Sequence, residues 1–440
     1  MLVPHSAYGN VIVKDFSTTG RNTDLHAHAR LLAETHEAVI GGSAPRVRPR
    51  GVVARSWSRA LALGLDPAGR NSRDPLPAER VELLRRESPL GSVIEELRGL
   101  ISTAADASRF LLVVTDDHGV ILWREGAADV ARRADELGFV SGTRWAESVV
   151  GTNAIGTALA ESAPVQLFSA EHFEQPQHPW YCTAAPIHDP RTGEPLGVVD
   201  ISGPALKLHP TVGALVGTAV RFAELRLWRE HQRELEQLRA AAEPWLAGTR
   251  PPWLLVDGHG WVAHSSGVTA GQRTAVPRAD RPVTVPGLGL CFAEPLAGGW
   301  LVRPHGEEVA LRVLLDLSTS TPAIEVGGRG TPWRSSLGKR HAEILLLLCL
   351  AGSEGVGTAT LSRCLHGDAE HAVAARAEVS RLRGLLGGVV EAKPYRVVPG
   401  VELRVELGTT ELVQDCAFVR DSASPGVRAF VRRQAPLRGK

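Results

Sequence analysis

Apolar positions change period several times along the chain, and each change marks an element. Residues 110–123, FLLVVTDDHGVILW, read as two apolar strands joined by an Asp-Asp-His-Gly turn, a hairpin signature. The helical text ADVARRADELG follows, and GTRWAESVVGTNAIGTALAE then reads as a glycine-broken loop entering a short helix. After a long loop, EHFEQPQHPWYC, the strands TAAPIHDP and PLGVVDISG flank the turn Arg191-Thr192-Gly193. A helix from about Pro210 to Ala242 closes the region. Hairpin, helices, hairpin and closing helix is the order of an α+β sensory domain with one antiparallel sheet.

Upstream, residues 1–44 are mixed and polar and predict no particular element. Residues 46–67, RVRPRGVVARSWSRALALGLDP, predict a basic amphipathic helix around Trp57, ending near Gly64. A second helix is expected from Pro77 to about Ala107, with proline at its first position. Downstream, AEPWLAGTRPP (242–252) reads as a linker. Residues 253–330 carry short strands broken by Gly and Pro: WLLVDGHGWVAHSS, GWLVRP, Leu311 to Leu317 and Ala323 to Val326. No internal repeat is evident.

The C-terminal text is helical first. LGKRHAEILLLLCLAG has an almost continuous apolar face, and GTATLSRCLHG is a short second helix with Thr358 or Thr360 placed to cap it. On a third, Ala375, Val379, Leu382 and Leu386 recur at helical spacing as a buried stripe. VVEAKPYRVVPGVELRVEL then reads as a β-hairpin, and three helices followed by a hairpin make a winged helix-turn-helix. The expected fold is thus α+β and multidomain. Residues 1–76 form an N-terminal helical segment, 77–242 the sensor, 243–252 the linker and 253–334 a β-rich connector, for which a degenerate PAS-like fold is one reading. Residues 335–406 form the winged helix and 407–440 a basic tail.

Composition narrows the function. The 440 residues carry 49 Lys+Arg against 48 Asp+Glu, so any nucleic-acid contact must be local rather than a property of the whole surface. With 43% hydrophobic and 22% charged residues the chain reads as globular. No apolar run approaches the roughly 20 residues of a membrane span, and the N-terminus lacks a secretion signal. The five cysteines, Cys182, Cys291, Cys349, Cys364 and Cys416, include no C-x-x-C pair, as expected of a cytoplasmic protein without a disulfide framework or zinc knuckle.

The third C-terminal helix carries the clearest chemistry. Arg376, Ser380 and Arg383 share a face different from the apolar stripe, with Arg381 flanking. Guanidinium forks there suit guanine edges or phosphates in a major groove, and Ser380 can donate to either. Lys393 and Arg396 on the hairpin would reach the backbone or an adjacent groove. Three exposed arginines can also be merely solubilising; their position just before a basic hairpin favours double-stranded DNA. Residues 337–405, with VSRLRGLLG followed by KPYRV, resemble the OmpR-like winged helix. That resemblance places Arg376, Ser380, Arg381 and Arg383 toward DNA and makes Tyr395 the anchor of the wing. No receiver domain precedes it, so phosphorylation by a histidine kinase is not implied.

RSWSRALALGLDP (55–67), WAESVVGTNAIGTAL (145–159), EHF (171–173), WYCTAAPIHDP (180–190) and LGVVDISG (196–203) resemble the sensory half of acetoin-catabolism activators. The resemblance implies a GAF domain over roughly the first half of the chain. In that family an AAA+ ATPase follows, but this sequence has no G-x-x-x-x-G-K-[ST] to cradle a nucleotide. ATP-driven, sigma-54-dependent activation is therefore not expected, and ordinary operator binding is. The GAF pocket should lie between the sheet and residues 140–182, where Trp145, Glu147, Asn153, His172, Trp180 and Cys182 concentrate. The glycines and tryptophans there could equally serve only the fold. His172, His178 and Cys182 offer a weaker metal reading.

No catalytic frame stands in a convincing context, and Asp116-Asp117-His118 sits where Asp is favoured for turn reasons. The expected protein is a non-enzyme that needs no cofactor: a one-component transcriptional regulator. Its expected partners are operator DNA, a small-molecule effector, RNA polymerase and a second copy of itself. Homodimerisation would use Leu215, Ala219, Phe222, Trp228, Leu235 and Leu238 of the long helix. The competing reading is a GAF module sensing redox state, a gas or a cyclic nucleotide, with a C-terminal unit that docks protein.

Overall fold

The computed structural model describes residues 23–434 except 70, 72, 105–109, 208, 210, 280–281, 297, 305–310 and 328–332; Pro210, the expected start of the long helix, lies outside the described residues. The chain divides into two compact units, Met1–Gln232 and Arg233–Lys440.

In the first unit, α1 (Leu25–Ile40) forms within text that predicted no element. Asp24 caps it, its carboxylate accepting from the backbone N–H groups of His26 and Ala27. The basic helix is α2 (Gly51–Ala62), with Val52, Val53, Trp57 and Ala60 buried. The single helix expected over 77–107 is two, α3 (Ala78–Glu87) and α4 (Ile94–Ala104). Pro89 breaks it: proline offers no N–H and drives Ser88 into extended backbone, φ −75° and ψ 128°. Pro77 caps α3 from outside the helix rather than opening it.

Then come β1 (Leu111–Asp116), β2 (Ile121–Gly126), α5 (Ala128–Asp135), α6 (Glu147–Val150), α7 (Ala154–Glu161), β3 (Val165–Phe168), β4 (Trp180–His188), β5 (Pro195–Pro204) and α8 (Val212–Leu246). The strands form one antiparallel sheet in the order β2-β1-β5-β4-β3. Its two-residue period sorts the side chains into two cores. Leu111, Val113, Ala184 and Val198 face α2, α5 and α7. Leu112, Val114, Val199 and Ile201 face α4 and the first half of α8, where Val216 and Ala219 are buried. Leu215 packs on the same core, while Phe222 stays exposed. Part of the stripe expected to pair two copies is thus spent on this unit's own sheet.

The β1–β2 turn is built on Asp116, whose carboxylate accepts from the N–H groups of His118 (2.9 Å) and Val120 (2.8 Å). Gly119 supplies the left-handed residue at φ +78°.

In the second unit the end of α8 places Leu238, Ala242 and Leu246 against Trp253, Leu255 and Leu301. The expected linker is therefore helical through Leu246. Strands β6 (Trp253–Val256), β7 (Val262–Ser266), β8 (Val283–Val285), β9 (Gly289–Leu296) and β10 (Gly299–Pro304) form an antiparallel sheet in the order β7-β6-β10-β9-β8. Counted along the chain, that is the strand order of the first sheet. The likeness reaches the first turn, where Asp257 accepts from His259 and Trp261 at 2.8 and 2.7 Å, as Asp116 does from its loop.

The remainder comprises β11 (Leu311–Asp316), β12 (Ala323–Gly327), β13 (Trp333–Ser336), α9 (Lys339–Ala351), α10 (Thr358–His366), α11 (Ala372–Leu386), β14 (Val390–Glu391), β15 (Arg396–Val397), β16 (Val401–Glu406), α12 (Ala417–Arg420) and α13 (Pro425–Arg433). Helix α9 is buried from Ala342 to Leu348, the fate of a helix apolar all round. Neither threonine caps α10: Gly357 is its N-cap and Thr358 its first residue.

The expected C-terminal hairpin is divided. β14 and β15 pair over two residues each, whereas β16 runs parallel to β11 in the sheet β13-β12-β11-β16. The expected basic tail is likewise folded through Arg433, with Val413, Val419, Val427 and Val431 in the core around α9. Buried Glu343 of α9 holds it there, accepting from the Ser422 and Ser424 hydroxyls at 2.6 Å each. Among the described residues no helix is long and apolar enough to cross a membrane.

Candidate functional site

The face of the first sheet that carries Val198 also carries Asp200 and Ser202, because side chains two apart on a strand share a side. Register sets Cys182 of β4 beside Ser202 and Ala184 beside Asp200. Above this face the chain from α5 to α7 leaves a small cavity, lined by Leu137, Phe139, Trp145, Asn153, Ile155, Gln177, Trp180, Cys182, Asp200 and Ser202 among others. Its walls are mainly apolar, with a few polar groups converging, the usual form of a small-molecule site.

Asp200 is fully buried. The Ser202 hydroxyl donates to its Oδ2 at 2.5 Å, while Oδ1 has no hydrogen-bond partner among the described residues. Burial pushes this carboxyl up to about 7, against a smaller downward pull from Ser202. Ser202 Oγ also lies 3.1 Å from Cys182 Sγ. A hydroxyl has one proton to give, so the thiol can donate to Ser202 while Ser202 donates to the carboxylate. Burial, and next the Asp200 charge, push the Cys182 thiol well above its ordinary range. A thiol so held is unreactive, which works against a redox-sensing role.

Trp145 forms one wall, edge to face with Phe139 at 4.5 Å and with its indole N–H donating to Thr143 Oγ1 at 3.1 Å. The Arg73 guanidinium lies 4.8 Å from the Trp145 ring, and Arg133 lies 5.6 Å from that of Trp180. Asn153 both borders the cavity and caps α7, accepting from Gly156 N–H and donating to the Gly151 carbonyl, each at 2.9 Å. A Cβ on Gly156 would stand 2.4 Å from Glu147 N and 2.7 Å from Trp145 O. The glycines of GTNAIG thus have a packing reason to be there.

Two residues expected in the pocket are elsewhere. Glu147 turns toward α2, where it accepts from the Ser56 hydroxyl and from Arg59 at 2.7 and 3.0 Å. Helix α6 is a single turn, and its first side chain falls on the α2 side. His172 is buried below the loop, its Nδ1–H on the Ser169 carbonyl at 2.9 Å and its other nitrogen without a partner among the described residues. Burial lowers its pKa to about 4; burial and the neighbouring His36 and His172 lower that of His178 to about 3. His178 packs edge-on against His36 at 4.8 Å. Among the described residues no three His, Cys, Asp or Glu side chains come together as a group that could hold a metal. Sequence reasoning missed Asp200 and Ser202. The signal was present in GVVDISG, a lone carboxylate in an otherwise apolar strand.

In the second unit, Ala375, Val379, Leu382 and Leu386 of α11 are buried, and Arg376, Ser380, Arg381 and Arg383 are exposed on the other side. Arg381 pairs with Glu378 at 3.1 Å. Lys393 is exposed in the β14–β15 turn, whereas Arg396 is held by Glu391 and by the Ser353 carbonyl at 3.3 Å. Tyr395 is buried, and its backbone pairs with Val356 at 2.7 and 3.0 Å, tying the turn to the segment before α10.

Residues 50–223 match the family described as MimR, N-terminal domain. The chain is 29% identical over 430 residues to an uncharacterised 47.3 kDa protein of the thcA 5′ region in Rhodococcus erythropolis, covering 92% of this chain and 80% of that protein. It is 28% identical over 353 residues to the acetoin dehydrogenase operon transcriptional activator AcoR of Bacillus subtilis, covering 76% of this chain and 54% of AcoR. To the propane 2-monooxygenase operon transcriptional activator MimR of Mycolicibacterium smegmatis it is 30% identical over 181 residues, 40% of this chain and 29% of MimR. The chain therefore spans about half of one named activator and under a third of the other. Both are named as activators of transcription, not as enzymes, in agreement with the expectation of a non-enzyme.

Proposed function

We propose that this chain is a one-component transcriptional regulator. In this reading residues 77–242 are a GAF-like sensor that binds a small effector in the cavity over Asp200. Residues 253–334 connect it to an OmpR-like winged helix in 335–406, which binds operator DNA, the whole working as a cytoplasmic homodimer. The observation that carries the reading is α11: one side is wholly buried, and the other presents Arg376, Ser380 and Arg383 to solvent, with Lys393 on the following turn. Similarity to named activators supports it. Arg381 and Arg396, engaged by Glu378 and Glu391, are weaker candidates for base contacts. Operator binding requires no nucleotide, in keeping with a sequence that has no phosphate-cradling loop.

The test is binding of the full chain to DNA from its own upstream region over a series of salt concentrations. Affinity should fall linearly on logarithmic axes, because each phosphate contact releases counterions. Arg376→Ala or Arg383→Ala should each cost about 1–3 kcal/mol of specific binding where the side chain reads a base. Unchanged affinity and selectivity in the double variant would refute the groove assignment.

A further inference from the structure

The cavity over β4 and β5 has one polar feature that its own fold does not use. Asp200 Oδ2 is matched by Ser202, yet Oδ1 of the same fully buried carboxyl has no partner among the described residues. A buried acceptor left unmatched is costly, and a strand that keeps one beside a cavity is equipped to receive a proton donor. Around it Leu137, Phe139, Trp145, Ile155 and Trp180 supply apolar wall. Charge narrows the class further. An anion would meet the carboxylate, and an ammonium would enter beside indole rings that already carry the Arg73 and Arg133 guanidinium groups. A ketone or ether has no proton to give.

We propose that this cavity recognises a small uncharged molecule with one hydroxyl on a compact apolar body, and that Asp200 Oδ1 accepts the hydroxyl proton. The inference rests on the reading of the first unit as a small-molecule sensor and names what that sensor reads. Asp200 is the specificity-determining residue and the tryptophans are its packing surface. Cys182 and Ser202 act through Asp200, supplying the proton chain that occupies Oδ2 and leaves Oδ1 for the ligand.

The experiment uses matched probes on the full chain at pH 8: cyclohexanol, cyclohexanone and cyclohexylamine, with 2-butanol and 2-butanone as a smaller pair. Binding is measured by calorimetry or ligand-observed NMR. The alcohol of at least one pair should bind roughly tenfold or more tighter than its ketone, the difference a hydrogen bond to a charged acceptor makes. The ammonium should bind more weakly than the alcohol. In Asp200→Asn the Ser202 hydroxyl still finds a carbonyl oxygen and the amide N–H faces the cavity, so the preference should collapse or invert toward the ketone. A ketone binding as tightly as its alcohol, no binding by either alcohol, or an unchanged preference in Asp200→Asn overturns the proposal. The wild-type ratios decide it even if the variant does not fold. DNA affinity measured with saturating alcohol separates the two readings. Selective binding that leaves DNA affinity unchanged sinks the sensing function but supports this recognition, whereas a ketone that binds best and shifts DNA affinity does the reverse.

Discussion

Replacing Asp200 by Asn tests the most costly feature of the first unit. The amide keeps the side chain's shape and can still accept the Ser202 proton, but it carries no charge. Burial raises the carboxyl from its ordinary 3.8 to about 7. Between those values the folded state holds a proton that the unfolded chain has released. Stability from this group therefore falls as pH rises through that window and levels off above about 7. From pH 5 to pH 8 the loss amounts to about 2–3 kcal/mol in the parent and is absent in the variant. His172 and His178 act with the opposite sign. Burial lowers them from 6.5 to about 4 and about 3, so the unfolded chain takes up protons first and stability falls as pH drops below 6.5. Both histidines are common to parent and variant and cancel in the difference. Urea denaturation at constant ionic strength at pH 5, 6, 7 and 8, followed by tryptophan fluorescence, gives that difference. Hydrogen exchange at the β5 amides provides a second measure local to the sheet. The advantage of Asp200→Asn should widen steadily to about pH 7 and then hold. A difference independent of pH, or a parent that is the more stable protein at pH 8, would refute the buried, unmatched carboxylate.

Arg50→Ala should cost about 3–5 kcal/mol in the same assay at neutral pH, because it strands a buried carboxylate. Glu171, 2% exposed, receives Arg50 at 2.6 and 2.9 Å, and a loss under about 0.5 kcal/mol, the range of an ordinary surface change, would contradict that account. Gly156→Ala and Gly217→Ala form a contrasting pair of helical substitutions. The first drives a methyl into the backbone of residues 145–147 and should destabilise by about 1–3 kcal/mol or more, whereas the second meets nothing within 4 Å and should be neutral or stabilise by about 0.4–1 kcal/mol. Equal melting temperatures for the two variants would remove the packing reason assigned to Gly156.

Local pattern alone determined a good part of this molecule. The 110–123 hairpin, the α11 stripe at 375, 379, 382 and 386, and the burial of Trp57 are set by periods of two and 3.6, which any stretch of chain carries within itself. Between the short helix and the long loop from Glu171, local pattern declares no element, yet β3 forms there, four residues long and too short for an alternation to show. Helix α1 was equally silent: its apolar residues are interleaved with His, Arg, Glu and Thr, and Asp24 is a cap only once the helix exists. The parallel pairing of β16 with β11 joins residues about ninety apart, so no local reading could distinguish it from the second arm of a hairpin. The site shows the same division. The expectation of a cavity beside residues 140–182 came with the resemblance to the acetoin-catabolism activators, not from local pattern. That Asp200 would face it, with one oxygen matched and one not, depended on the register of β4 against β5 and on which side of the sheet α5–α7 close. Glu147 belonged to the same sequence cluster, but one helical turn and the approach of Arg59 sent it to the other side. Sequence fixes which side chains can do chemistry, while tertiary packing decides which of them are left without a partner, because that depends on every neighbour at once.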